Sequence, residues 1–224
     1  RRPFDWKRAN AVGSLRQLRQ YPVILGLVGA LVPIYIAAHA TQGTWSYFTM
    51  YRFGWNEDQV GNSLGAVGLL SGLVQGLLIR YTAPRLGLKR SVIIGLGLYA
   101  LGFALFAFAN QSWMMFAFLV PYCLGGIAPP ALQGIMSGQV PPSEQGELQG
   151  ALTSLVSLTS IIGPPLMTNL FSFFTGPKAP VHFPGAAFLT GSVLTLFSLL
   201  MAIRSLRGYV APVTQPAAEA VAGH

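Results

Sequence analysis

Acidic side chains and cysteine are both scarce in this 224-residue chain, which has six Asp and Glu against fourteen Lys and Arg, and a single cysteine, Cys123. One cysteine excludes an intrachain disulfide framework and a zinc site built from clustered thiolates, and its apolar neighbours mark it as a small core residue. Charged residues make up 9% of the chain, against about 25% in a typical soluble domain. That is too few to cover a water-exposed surface. The six acids, Asp5, Glu57, Asp58, Glu144, Glu147 and Glu219, all lie outside the long apolar runs. No catalytic residue, metal site or cofactor is assigned from the sequence. The apolar runs do not alternate, which excludes a membrane β-barrel.

What the chain does contain is apolar length. Its mean hydropathy is +0.53, and six runs each approach the roughly 20 residues needed to cross a bilayer as a helix. They fall at about 23–47, 60–79, 91–109, 113–136, 148–174 and 186–203. The expected fold is therefore all-α: a polytopic membrane protein with a six-helix bundle over 21–205. A basic, partly amphipathic segment at 1–20 precedes it and a disordered tail at 206–224 follows. Short connections make successive helices antiparallel neighbours. The net charge of +8 does not indicate nucleic-acid binding, because the basic residues flank apolar runs instead of forming a patch on a soluble fold.

Those basic residues set the expected orientation. Arg1, Arg2, Lys7, Arg8, Arg16 and Arg19 precede the first run, Arg80, Arg85, Lys89 and Arg90 separate the second from the third, and Arg204 and Arg207 follow the sixth. With the start in the cytoplasm, these lie inside, and only Arg52 and Lys178 lie outside. The positive-inside rule then places both termini in the cytoplasm.

Within the runs, helical spacing sorts the polar residues onto faces. Tyr35, His39, Gln42 and Ser46 share one face of the first helix, and Tyr122, Gly126, Pro129 and Gln133 share one face of the fourth. Polar groups in a membrane face the bundle interior or a water-filled cavity. The first stripe is accordingly expected to line a cavity, the alternative being internal hydrogen bonds. His39 is the one ionisable side chain in the six runs apart from Tyr and Cys. In the second helix Gly61, Gly65, Gly68, Gly72 and Gly76 fall within an arc of about 80°. They are expected to form a close helix crossing, with direct substrate contact as the alternative. Ser71 and Gln75 flank that stripe and suit either a pore or a neighbouring helix. After the fourth helix, Pro141-Pro142-Ser143-Glu144-Gln145-Gly146-Glu147 must form a wet turn.

Several local stretches are more specific than apolar length: Pro130-Ala131-Leu132-Gln133, Glu144-Gln145-Gly146-Glu147-Leu148-Gln149-Gly150, and Leu152-Thr153-Ser154-Leu155 leading to Ile162-Gly163-Pro164. With Trp45, Tyr51-Arg52-Phe53-Gly54-Trp55, Arg85-Leu86-Gly87 and Lys89-Arg90, they make the chain, from about Arg16 to Arg207, resemble the C-terminal half of a major facilitator superfamily transporter of the tetracycline-resistance type. The resemblance implies one half of a twelve-helix fold, with an N-terminal six-helix half as partner. It implies a bacterial inner-membrane location and export of a small amphipathic drug such as tetracycline in exchange for protons. It also implies that the first and fourth helices of this half line a central cavity, consistent with a substrate wall of Tyr35, His39, Gln42, Ser46, Ser71, Gln75, Tyr122 and Gln133.

The same resemblance implies gating or packing roles for Arg85, Gly87, Lys89, Arg90, Gly163 and Pro164, and the chain departs from the family pattern at four points. Pro84 stands where the cytoplasmic gating motif has Asp, Thr159 where the antiporter motif has Gly, Tyr99 where tetracycline exporters carry an intramembrane Asp, and Ser71 where some members have His. The substrate and proton route are therefore expected to differ from those of the tetracycline exporters, with the main coupling acids in the other half. Two alternatives stand beside this reading. One is a carrier self-assembled from two six-helix copies, and the other an intramembrane serine protease using Ser137 and a histidine such as His182.

Reporter fusions test the orientation. Fusions at Arg85 and Gln145 are expected to report the cytoplasm, and fusions at Asp58 and Lys178 the outside. Gln145 and Lys178 on one side would break the six-span topology.

Overall fold

The computed structural model describes residues 22–208. The basic segment 1–20 and residues 209–224 lie outside the described residues, while 206–208, expected to open the disordered tail, form a 3-10 turn with Leu206 buried in the core. Helices follow one another as α1 (Pro22–Phe53), α2 (Glu57–Leu73), a π-helical turn (Val74–Leu78), α3 (Ile79–Ala107), α4 (Ser112–Gly125), α5 (Ala128–Gly138), α6 (Gln145–Thr175) and α7 (Ala186–Ser205). Short 3-10 turns occupy Pro142–Glu144 and Leu206–Gly208. Six segments are long and apolar enough to cross a membrane: Ile24–Phe53, Glu57–Tyr81, Arg85–Ala107, Ser112–Gly138, Pro142–Thr175 and Ala186–Ser205. They are called spans one to six below. Their number and order follow the hydrophobic runs.

Local chemistry explains where the spans begin and end. Span one runs six residues past its expected end because nothing stops the helix before Gly54, whose φ of 67° suits only a residue without a Cβ. Span two starts at a capping box, in which Asn56 accepts from the Gln59 amide and Gln59 Oε1 accepts from the Asn56 amide. Spans two and three are joined through one nearly continuous helix broken at Gly87, with φ 74° and ψ 158°. At the break, Ser91 Oγ donates to the Gly87 carbonyl at 2.9 Å. The wet turn after span four forms as expected. Gln145 Nε2 donates to the Ser137 and Val140 carbonyls at 2.7 and 2.9 Å, pinning the turn to the helix end, where carbonyls lack intrahelical partners.

Span one packs along spans five and six, span three along spans four and six, and span two mainly along span four. Small side chains permit the closest of these approaches. A Cβ placed on Gly102 would lie 2.8 Å from Tyr122 Cα, and one on Gly125 2.7 Å from the Tyr99 nitrogen. Spans three and four thus touch backbone to backbone. Span six is tied down by hydroxyls: Ser192 Oγ donates to the Ala100 carbonyl at 2.8 Å and Ser198 Oγ to the Ala30 carbonyl at 2.6 Å.

The glycine stripe of span two is a different case. Gly61, Gly65, Gly68, Gly72 and Gly76 have nothing within 4 Å of an added Cβ, so the expected close crossing is not made within the described chain. Small residues announce that a helix can be approached, but not by what. Span two is the least covered of the six, with 11% of its most apolar window buried, followed by span five with 28%.

This contrast yields a stability prediction for the 224-residue chain. Gly125→Leu is expected to cost more than ~1–3 kcal/mol, the usual overpacking range, because backbone lies where the side chain must go. Gly68→Leu is expected to cost under about 0.5 kcal/mol. Thermal stability of the purified variants by size-exclusion fluorescence checks this, and equal losses would mean that the stripe is packed after all.

Candidate functional site

The polar face of span one opens between spans four and five. Tyr35 is half-buried, and its hydroxyl accepts a hydrogen bond from Gln133 Nε2 at 3.3 Å. Two of the expected wall residues, from spans one and four, are thus brought into contact. One turn along, His39 is 8% exposed and makes no hydrogen bond among the described residues. Its ring edge fills the space above Gly163 of span five, and a Cβ there would collide with the ring. Beyond it, Gly43 faces Pro164, an added Cβ lying 3.8 Å from Pro164 Cα. Gly163 and Pro164 therefore serve as the notch that lets span five cross span one at the histidine. Thr159, one turn earlier, is buried on the same helix. Gln42 is exposed and Ser46 half-buried, continuing the face toward the far end of span one.

Tyr122 points elsewhere. Its hydroxyl accepts from Thr41 Oγ1 at 3.0 Å. Its ring sits among Tyr99, Phe103 and Phe106, with centroids 5.1, 5.3 and 5.4 Å away. It is anchored in an aromatic cluster that continues through Trp45 and Phe188 to Phe48. Thr41 was absent from the expected face because it lies on another side of the helix. Its signal is a hydroxyl on the otherwise apolar side of the helix that carries Ile34, Ala37, Trp45 and Phe48. Trp45 Nε1 donates to Ser63 Oγ at 2.9 Å, fastening span one to span two. Ser71 is half-buried and its hydroxyl lies 3.6 Å from Cys123 Sγ, linking spans two and four. Gln75 is exposed on the π-helical turn and makes no hydrogen bond to the Tyr35–Gln133 pair.

Two irregularities flank the Ser71–Cys123 contact. Span two switches to π geometry at Val74, and span four is interrupted at Gly126-Ile127, between α4 and α5, with Pro129 and Pro130 opening the second half. The sequence expectation was an unbroken fourth helix. Proline lacks the amide that would continue the hydrogen-bond ladder, so Gly126-Ile127-Ala128-Pro129-Pro130 interrupts it. Discontinuous helices at mid-membrane free backbone groups, and transporters place binding sites at such breaks. At the basic end of the bundle, Arg85 and Arg90 are exposed and Lys89 half-buried around Gly87.

A six-helix membrane bundle with a polar face and interrupted helices has the features of a transporter. The model of the Major Facilitator Superfamily matches residues 20–223, and the chain belongs to that family. It is 34% identical over 199 residues to the class C tetracycline resistance protein of Escherichia coli, covering 89% of this chain and 49% of that protein. The class G protein of Vibrio anguillarum is 36% identical over 186 residues, covering 81% of this chain and 46% of that protein. A human protein, hippocampus abundant transcript-like protein 1, is 27% identical over 217 residues, covering 89% of this chain and 42% of its own length. The chain thus spans about half the length of the curated relatives it matches. No solved structure matches it. Membership makes this a multi-pass membrane chain of a family of transporters, not of enzymes. The protease alternative also lacks geometry: Ser137 adjoins the turn at one end of the bundle, and His182 lies in the loop at the other.

The His39–Gly163 fit is measurable. Gly163→Ala is expected to destabilise the chain by ~1–3 kcal/mol, and His39→Ala in the same chain to recover most of that loss. A double-mutant cycle on thermal unfolding reads the coupling, expected above about 0.5 kcal/mol. Additive losses would refute the fit.

Proposed function

We propose that this chain forms the C-terminal half of a secondary active exporter that passes an amphipathic drug of the tetracycline type outward in exchange for protons. The observation that carries the reading is the Tyr35–Gln133 contact with His39 beside it, a polar face between spans in a chain related to tetracycline resistance proteins. Spans one and four supply the wall, with Tyr35, His39, Gln42, Ser46 and Gln133 presented to substrate. Ser71, Gln75 and Tyr122 support it from spans two and four. Alternating access then consists of rocking this bundle against a second about a midplane site.

The N-terminal six-helix half is the proposed partner. The poorly covered faces of spans two and five, and the open glycine stripe, support its docking there. The membrane is the bacterial inner membrane, with both termini cytoplasmic. In that orientation the Arg85–Arg90 turn acts as a gate on the cytoplasmic side, with Gly87 as its bend.

Proton coupling needs a group that changes charge within the membrane. The carboxylates of this chain lie outside the expected apolar runs, and a charged side chain at a helix centre costs about 2.5–3.5 kcal/mol on the insertion scale. The main coupling acids are accordingly assigned to the partner half, with His39 as the carrier on this side. Its ring, mostly buried and without a hydrogen bond among the described residues, supports that role.

Vesicles with an imposed pH gradient test the reading. The chain joined to its N-terminal half is expected to move tetracycline and protons together, and His39→Gln to lower the coupled rate about tenfold or more. The 224-residue chain alone is expected to do neither. Coupled exchange by the chain alone, undiminished in His39→Gln, would overturn this account and favour the self-assembled six-helix carrier.

A further inference from the structure

At the end of the bundle opposite the basic turn, the ends of spans one and three and the loop before span six enclose a cavity of about 140 Å³. Its lining combines Phe48, Phe108, Phe183 and Pro184 with Arg52 and His182. No acid lines it. Arg52 is exposed and makes no hydrogen bond or ion pair among the described residues. His182 Nε2 lies 3.3 Å from the Tyr51 hydroxyl, which holds the imidazole at the rim. The floor is Gly185, pressed against the Ala107 carbonyl and lacking any side-chain cap at the start of α7. The positive end of that helix's dipole therefore lies beside the cavity at Gly185.

Size and chemistry together narrow the occupant. Pockets for drug-sized ligands run to about 300–1,000 Å³, so this one holds a single small group. A guanidinium that lacks a carboxylate partner is matched by a phosphate, which it binds through two parallel N–H donors. The aromatic wall suits a ligand whose remainder is apolar. Phe108 is 63% exposed beside the cavity, and Tyr47, Tyr51 and Trp113 are exposed at the same end of the spans, where amphipathic aromatics mark a membrane–water interface. A free anion would gain nothing from that wall, whereas a phospholipid would bury glycerol and acyl carbons against it. We propose that this cavity binds the phosphodiester headgroup of an anionic phospholipid from the leaflet opposite the basic turn. Arg52 holds the phosphate, His182 closes the rim, and the three phenylalanines contact the glycerol region.

The test uses the 224-residue chain, purified in a neutral detergent, delipidated, and titrated with dioleoyl phosphatidylglycerol or dioleoyl phosphatidylcholine under native mass spectrometry. Phosphatidylglycerol is expected to bind at least about tenfold more tightly than phosphatidylcholine. Arg52→Gln, which removes the charged two-donor fork, is expected to weaken phosphatidylglycerol at least about tenfold, and His182→Gln to weaken it less. Lys178→Gln, which alters a basic residue at the same end but outside the cavity, is expected to leave binding unchanged. Thermal stability in detergent alone confirms that each variant is folded. Equal losses for Arg52→Gln and Lys178→Gln would reduce the effect to surface charge and overturn the site. Displacement of the lipid by millimolar inorganic phosphate would overturn the lipid assignment in favour of a free-anion site. Undiminished binding in both Arg52→Gln and His182→Gln would refute the proposal outright.

Discussion

The backbone contact between spans three and four is the constraint on which the rest of this bundle depends. Gly95, Gly102 and Gly125 bring the two helices so close that a Cβ at any of them would lie within 3.0 Å of backbone atoms across the interface. Between helices in lipid there is no water to expel, so attraction comes from van der Waals contact and the few available hydrogen bonds. Such contact is largest where side chains are absent. Once the two spans are locked, Tyr122 must sit beside Tyr99 and Phe103, and its hydroxyl meets Thr41 of span one. The aromatic cluster extending to Trp45 and Phe188 carries the same constraint to spans one and six.

Packing and polarity are divided between two sides of span one. Thr41 and Trp45 bind it to spans four and two, whereas Tyr35 and His39 meet spans four and five through polar or notch-like contacts. One side is held by a dense aromatic core. The other meets span five, which is covered much less than span one. The rocking proposed above would use both, a rigid face that carries force and a polar face where contacts exchange. The breaks in spans two and four lie near the Ser71–Cys123 contact that joins the two, and at the break in span four the Gly126 and Ile127 amides donate to the Cys123 and Leu124 carbonyls, which keeps the backbone paired there.

Individual residues show how far pattern reasoning reached. Period and hydropathy were enough for the number of spans, because a bilayer demands long apolar helices whatever their neighbours. Tyr35 and Gln133 were expected to line a cavity, and in the structure the two are hydrogen-bonded to each other; helical spacing puts a polar residue on a side but does not say what it meets. Tyr122 shared a face with Gln133 on paper, yet the break at Gly126-Ile127 separates the two halves of span four and leaves Tyr122 in the aromatic core. The glycine stripe of span two read as a crossing, and no helix of the described chain supplies the other side. The cavity at Arg52 had no signal at all, being assembled from three segments far apart in the chain.

By itself the sequence determined that the chain is helical, that it crosses a membrane six times, and to which family it belongs, because those properties rest on composition, local periodicity and motif spelling. Tertiary structure decided which of its many glycines are contacts and which are open, since a missing Cβ is informative only when the neighbouring backbone is known. It also decided that His39 rests on Gly163 and that Arg52 faces an aromatic cavity. Both depend on how helices distant in sequence cross, and a crossing is set by the shapes of two surfaces at once.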